Sequence, residues 1–286
     1  MNTEEKKQSR LIKKQKRNIL IVVMILAAMI IADFVWSNTY IEVKELSAKF
    51  EKLPDGFDSC KIVQISDFHN EWGSGYIDRL TNKVKDCNPD YIFVTGDSVD
   101  QLFPDVDRSL ELMKKLPDIC PVYLVLGNHE YGLSQEDREK FIAGCESYGI
   151  NVLYNEHTTL TRNGDSISLL GFDDMQNESE AFSQVADDFV ILLNHYPEDC
   201  AHFSNMALQS GTHIDIDFTG HAHGGLIRLP LVNGLYAPGQ GFFPEYTDGT
   251  YTIDDTTLVV SRGVGNSGLT QRFSDPFELV VFTLEK

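Results

Sequence analysis

The sequence predicts an α/β protein, and three observations carry that prediction. Short apolar runs rich in β-branched and aromatic residues recur along the chain, continuous enough to be strands covered on both faces. Between the earlier runs lie stretches whose apolar positions fall at helical spacing. Five of the runs end in Asp, Asn or His, often beside glycine, where ligand-bearing loops sit in parallel sheets. With 286 residues, 42% of them hydrophobic, the chain can bury a sizeable core.

Residues 1–18 are polar and basic, and residues 19–36 read as a membrane anchor or signal segment. The uninterrupted apolar run from Ile19 to Ala32 is 14 residues; continuing through Asp33 to Trp36 gives 18, with Trp36 and Tyr40 placed for an interfacial belt. An uncleaved anchor is the expectation, against a cleaved signal processed near Ala32 or Ser37. The basic amino terminus is expected to stay inside, which places residues 41–286 on the extracytoplasmic side of the cell membrane. Residues 37–59 read as a charged connector.

Lys61 to Ser66 is the first buried strand, ending in Asp67-Phe68-His69. Residues two apart on an extended chain point the same way, so Asp67 and His69 can grip one cation, such as Mn²⁺, Fe²⁺ or Zn²⁺. A helix over Tyr76 to Asp86 is broken by Asn88-Pro89, and the strand from Tyr91 to Val94 follows. Gly96 turns the chain there and delivers Asp97, with Asp100 just beyond. A second helix, about Val106 to Leu116, leads to the strand Val122 to Leu126 and then to Gly127-Asn128-His129-Glu130; a polar helix over Ser134 to Tyr148 comes next. Short strands are expected at Thr158 to Leu160 and Ser166 to Leu170, then at Phe189 to Leu193 before His195, and at Ile214 to Phe218 before His221 and His223. Asn233 to Tyr251, aromatic among glycines and prolines, reads as a long loop, with late strands at Leu258 to Ser261 and Glu278 to Leu284.

Asp67-x-His69, Gly96-Asp97-x-x-Asp100, Gly127-Asn128-His129-Glu130, His195 and Gly220-His221-x-His223 together resemble the ordered motifs of the calcineurin-like metallophosphoesterases. The match extends through Gly224 to Pro230 and Ser261 to Gly265, covering about residues 60–286. That tail resembles a membrane-linked bacterial branch that also contains the UDP-2,3-diacylglucosamine pyrophosphatases.

The resemblance implies a four-layer α/β/β/α sandwich of two mixed sheets, with a dimetal site at the strand ends. It implies that Asp67, His69, Asp97 and His223 hold one divalent metal and Asp97, Asn128, His195 and His221 the other, Asp97 bridging. Mn²⁺ is favoured, with Fe²⁺, Zn²⁺ or Co²⁺ as alternatives. A water held between the cations would attack phosphorus, His129 would assist the leaving oxygen and Asp100 would orient it. The expected activity is hydrolysis of a phosphodiester or pyrophosphate in a small molecule, lipid or envelope polymer. The alternatives are a monoesterase, a cytoplasm-facing lipid-sugar pyrophosphatase and a non-catalytic metal-binding protein.

Charge argues against nucleic acid as a partner. Residues 1–36 carry a net +4 within a total of −19, so the remainder stands at −23 and repels polyanions. The five cysteines show no paired spacing and signal neither a zinc-thiolate site nor a disulfide framework. His157, His202 and His213 fall outside the motifs and take no role. Arg228, Arg262 and Arg272 are candidates for phosphate contact, with surface ion pairs the commoner use of such residues.

Overall fold

A computed structural model describes residues 3–172, 182, 185, 189–229 and 233–286. Pro230, which closes one of the motif runs, lies outside the described residues. A helix α1 (Thr3–Ser37) precedes two mixed sheets that pack face to face. The first sheet holds β1 (Ile41–Lys49), β2 (Lys61–Ile65), β3 (Tyr91–Thr95), β4 (Val122–Val125), β5 (Asn151–Val152) and the last strand β16 (Phe277–Glu285), in the spatial order β1-β16-β2-β3-β4-β5. The second holds β6 (Glu156–Arg162), β7 (Asp165–Gly171), β8 (Val190–Leu193), β9 (Ile216–Thr219), β14 (Gly249–Ile253) and β15 (Thr256–Val260), ordered β14-β15-β9-β8-β7-β6.

Strands β2 to β5 run parallel, as do β7, β8, β9 and β15, so their carboxyl ends share an edge in each sheet. Between the sheets Ile62 and Phe93 meet Ile191, Ile216 and Phe218, and the ring of Phe93 stands edge-on to that of Phe218 with centroids 5.4 Å apart. Alternate residues of the same strands, Val63, Ile65, Ile92 and Val94, face outward onto α2 (Tyr76–Cys87), α3 (Val106–Met113) and α5 (Gln135–Ser147). Helix α6 (Cys200–Gln209) covers the far side of the second sheet through Phe203 and Ala207. The four layers expected from the motifs are therefore present.

Two regions differ from the sequence reading. Residues 41–49 are not connector but β1, paired in parallel with β16 at all nine positions. Glu42, Lys44 and Glu45 hid it, yet charged side chains are what an exposed edge strand carries. The segment 233–251 is not one loop: it holds the short strands β11 (Asn233–Gly234), β12 (Tyr236–Ala237) and β13 (Gly241–Phe242) and the start of β14, with β11 pairing to β10 (Arg228–Leu229).

Candidate metal centre

The strands deliver their polar residues to one buried cluster. Beyond β2 and β3 the two loops stay in parallel register, with the amides of Asp67, His69 and Asn70 donating to the carbonyls of Gly96, Asp97 and Ser98. Asp67, His69, Asp97, His221 and His223 all have left-handed backbones, φ 45–64°. That conformation is unfavourable for residues bearing a Cβ, and its concentration on five neighbouring polar residues marks a site where geometry outranks local comfort.

Three groups of ligand atoms converge there: Asp67, His69 and His223; His69, Asp97 and His129; and Asp97, His195 and His221. Asp97 sits between them. Its Oδ2 lies 3.2 Å from His195 Nε2 and 3.7 Å from His69 Nε2. His69 Nε2 faces His223 Nε2 at 3.2 Å with Asp67 Oδ1 3.4 Å from the latter, and His221 Nδ1 faces His195 Nε2 at 3.2 Å. Ligands about 2.0–2.2 Å from a shared cation lie roughly 3.0–3.5 Å from one another, so these spacings are those of coordination edges. One further atom points the same way: Asn128 Oδ1 is buried without a hydrogen-bond partner. The donor set fits two divalent cations.

Supporting contacts fix the side chains. His195 Nδ1 is 2.8 Å from the Thr95 carbonyl, which only accepts, so Nδ1 carries the proton and Nε2 is directed at the cluster. The His221 amide donates to both Asp67 oxygens, and the His129 amide donates to Asp97 Oδ1 at 2.8 Å. Gly96 and Gly127 leave the room required: at φ 88° a Cβ on Gly96 would come within 2.6 Å of His195 Nδ1, and one on Gly127 would collide with the Asp97 carboxylate.

Burial governs the protonation states. It lowers His69 and His221 to about 3 and pushes His223 well down, leaving these imidazoles neutral as metal binding needs. Asp97 is also desolvated, but His195 and the neighbouring imidazoles hold it far below the carboxylate range. Burial pulls His195 down, but the charge and hydrogen bond of Asp97, the charge of Asp67 and the Thr95 carbonyl together raise it. Without cations the cluster thus keeps one ion pair at its centre.

His129 lies at the open side, its side chain 9% exposed. Asp100 does not hydrogen-bond it: Oδ2 stands 3.6 Å from Nδ1, and Nδ1 instead accepts from the Gln101 amide at 3.0 Å. The Asp100 carboxylate is occupied by the amides of Leu102, Phe103 and Gly268, so it shapes the turn that presents Gln101 and orients His129 at one remove. Nε2 of His129 is 3.2 Å from Ser267 Oγ.

Sequence reasoning gave Glu130 no part, yet it is central to the scaffold. Fully buried, it accepts from the amides of Asp97, Gly127 and Val99 at 2.8–2.9 Å, tying the β3 and β4 loops together. An acid at the third residue of α4 (Asn128–Gly132) was the available signal, since helix starts leave free N–H groups. Arg262 and Arg272 are not surface ion pairs. Arg272 is fully buried behind His223, Nη2 3.0 Å from Nδ1, and donates to the carbonyls of Arg262 and Gly265; Arg262 pairs with Glu278, Asp275 and Glu42. Arg228 pairs with Asp248 at 2.7 Å. His157 contacts Ser168 across a strand pair, away from the cluster, and all five cysteines are free thiols.

A model of the calcineurin-like phosphoesterases matches residues 60–225, which span the ligands of all the converging strands. The chain belongs to that family. Among its metallophosphoesterases, YkuE of Bacillus subtilis is 30% identical over 257 residues, with 86% of each chain covered. A Danio rerio transmembrane protein with metallophosphoesterase domain is 26% identical over 94% of this chain and 63% of its own. A solved dimetal phosphatase from Danio rerio is 11% identical, covers 80% of this chain and 94% of its own, and has a TM-score of 0.45. Membership in the family together with the Asp/His cluster makes this a metallophosphoesterase with a dimetal site.

Proposed function

We propose that this metallophosphoesterase is anchored in the membrane by α1 and hydrolyses phosphodiester or pyrophosphate bonds of an envelope substrate on the extracytoplasmic side. The observation that carries the chemistry is Asp97, whose carboxylate is shared between two sets of imidazoles. In this reading Asp67, His69, Asp97 and His223 hold one cation, and Asp97, Asn128, His195 and His221 the other. Bound there, the two cations supply Lewis acidity that makes water nucleophilic near neutral pH and offsets phosphate charge. Glu130 and Thr95 hold Asp97 and His195 in place. His129, with Nδ1 accepting from Gln101, carries its proton on Nε2 and donates it in a hydrogen bond to the phosphate or the leaving oxygen.

A diester is favoured over a monoester by what lines the approach. A cleft of about 340 Å³ opens beside His69 and Asp100, walled by Asn70, Glu71 and Gln271, and among the described residues no Lys or Arg faces it. A monoester dianion would lack side-chain cations there, whereas a diester carries one charge and a second arm to fill the space. The apolar length of α1 and the seven Lys and Arg in its first half support the anchor and its direction.

The test is hydrolysis of bis(p-nitrophenyl) phosphate and p-nitrophenyl phosphate by the full chain in detergent, stripped with chelator and reloaded with Mn²⁺. Metal-dependent turnover faster on the diester is expected. Faster turnover on the monoester would replace the reading with a monoesterase, and none with any divalent metal would leave a metal-binding protein. A reporter fused after Lys286 checks the side, and a cytoplasmic signal would favour the lipid-sugar pyrophosphatase instead.

A further inference from the structure

Helix α1 does not end in a loose tether. Asn38 exchanges backbone hydrogen bonds with Arg272, its Nδ2 donating to the carbonyl at 2.9 Å and its Oδ1 accepting from the amide at 3.0 Å. Asp33 accepts from the amide and hydroxyl of Ser274, Ser37 accepts from the Asp275 amide, and Phe34 packs on Phe273 with ring centroids 5.4 Å apart. The last turns of the helix are therefore fixed to the segment that backs His223. Asn38 and Asn266, joined at 3.2 Å, also form part of the cleft wall beside His69.

Helix length sets how deep that cleft sits. The segment 19–36, apolar but for Asp33, is 18 residues, about 27 Å at 1.5 Å per residue, against a hydrocarbon core of about 30 Å. Nothing can be spared, so the hydrocarbon must reach the level of residues 33–36, which touch the catalytic domain directly. Asn38 is two residues further on, which brings the cleft to headgroup depth. The mouth of the cleft is correspondingly apolar: Trp72, Phe103 and Leu269 line it at 73%, 48% and 82% exposure, and Leu102, 65% exposed, lies beside the lining residue Gly268. Such a cluster on a domain surface marks an interaction site, and exposed tryptophan suits a membrane interface.

We infer that the cleft takes an amphiphilic phosphodiester directly from the bilayer, its phosphate at the Asp97 cluster and its apolar tail left in lipid against Trp72, Leu102 and Leu269. This rests on the anchored-phosphoesterase reading above. In the reaction one phosphorus–oxygen ester bond breaks and one bond from phosphorus to water oxygen forms. One water proton ends on the released alcohol and the other is left with the phosphomonoester or solvent.

Trp36 and Trp72 are the chain's two tryptophans, which permits a test independent of turnover. Full-length Trp36→Phe and Trp72→Phe are reconstituted in phosphatidylcholine vesicles with acyl chains brominated near the headgroup. Emission from Trp72 alone is expected to be roughly halved relative to unbrominated vesicles, as for a ring about 5–10 Å into the headgroup boundary. Quenching of Trp36 without quenching of Trp72 would overturn the inference while leaving the anchor intact; quenching of neither would remove the anchor, and the inference with it. In the companion assay, Leu269→Ser combined with Trp72→Ser should lower the ratio of vesicle-borne to soluble diester turnover at least several-fold, whereas Leu208→Ser on α6 should not. An unchanged ratio would overturn the proposal, as would wild-type enzyme that turns over the soluble diester and no vesicle-borne one. Absence of metal-dependent turnover on both would sink the phosphoesterase reading itself.

Discussion

Glu130→Gln isolates the contribution of a residue that touches no substrate. The carboxylate accepts three buried amide hydrogens, two at Oε2 from Asp97 and Gly127 and one at Oε1 from Val99. Glutamine keeps one oxygen. Placed at the Oε2 position it retains two of the bonds and turns its own NH₂ toward the Val99 amide, donor against donor. One orphaned buried N–H corresponds to about 1–3 kcal/mol, which at about 2–4 °C per kcal/mol predicts a melting temperature lower by roughly 6 °C. The displaced β3 loop carries Asp97, and because ångström-scale misplacement can reduce rate by up to about 10²-fold, kcat/KM should fall by about tenfold. Glu130→Ala, which strands all three amides, should be worse on both counts. The assays are thermal melting followed by circular dichroism and diester hydrolysis at saturating metal, each on the full chain. Wild-type melting and kcat/KM in both variants would refute the idea that Glu130 holds the metal loops together.

Other outcomes follow from the same contacts. Arg272→Lys removes the guanidinium that donates to two carbonyls behind His223 and faces Asp275, and should destabilise by about 3–5 kcal/mol, read by urea denaturation. Asp217 is fully buried on β9 with its carboxyl beside Cys200 and Asn194, and burial outweighs those contacts and pushes it up to about 8. Its folded value lies above the unfolded value near 3.9, so the native state binds the extra proton and this group lowers stability as pH rises from about 4 to 8. Asp217→Asn should therefore raise the melting temperature at pH 8 more than at pH 5; equal effects at both would contradict the assignment. Divalent metal at about 100 times its dissociation constant should add about 2.7 kcal/mol to stability, and chelator should return the melting curve to the metal-free one.

The residues that converge were legible because each motif is local: a buried strand, a glycine and a polar side chain within a few residues, as at Val94-Thr95-Gly96-Asp97 and Phe218-Thr219-Gly220-His221. What sequence hid depends on distant partners. Arg272 and Arg262 look like solvent charges until residues 275 and 278 enclose them with acids. Glu130 reads as the tail of a motif until three amides from separate turns close on it. Asp100 and His129, apparently a pair, are separated because nearer backbone amides satisfy both side chains first. β1 escaped notice because its apolar residues are interleaved with charges and change face, Ile41 and Val43 packing on the helix side and Leu46 and Ala48 on the side of the second sheet, and its pairing with β16 joins residues 236 apart. The docking of α1 on the segment behind His223 rests on hydrogen bonds of Asp33, Ser37 and Asn38, which no hydropathy pattern contains.

The dimetal chemistry depends most on Asp97 being shared by two cations. The direct measurement is metal content per chain, by elemental analysis after reloading with Mn²⁺, for wild type and Asp97→Asn, with diester turnover recorded on the same samples. Two ions per wild-type chain are expected, with at least one lost from the variant and turnover lower by several kcal/mol of barrier, on the order of 10³-fold. A variant that keeps both ions and wild-type turnover would contradict the shared-carboxylate site.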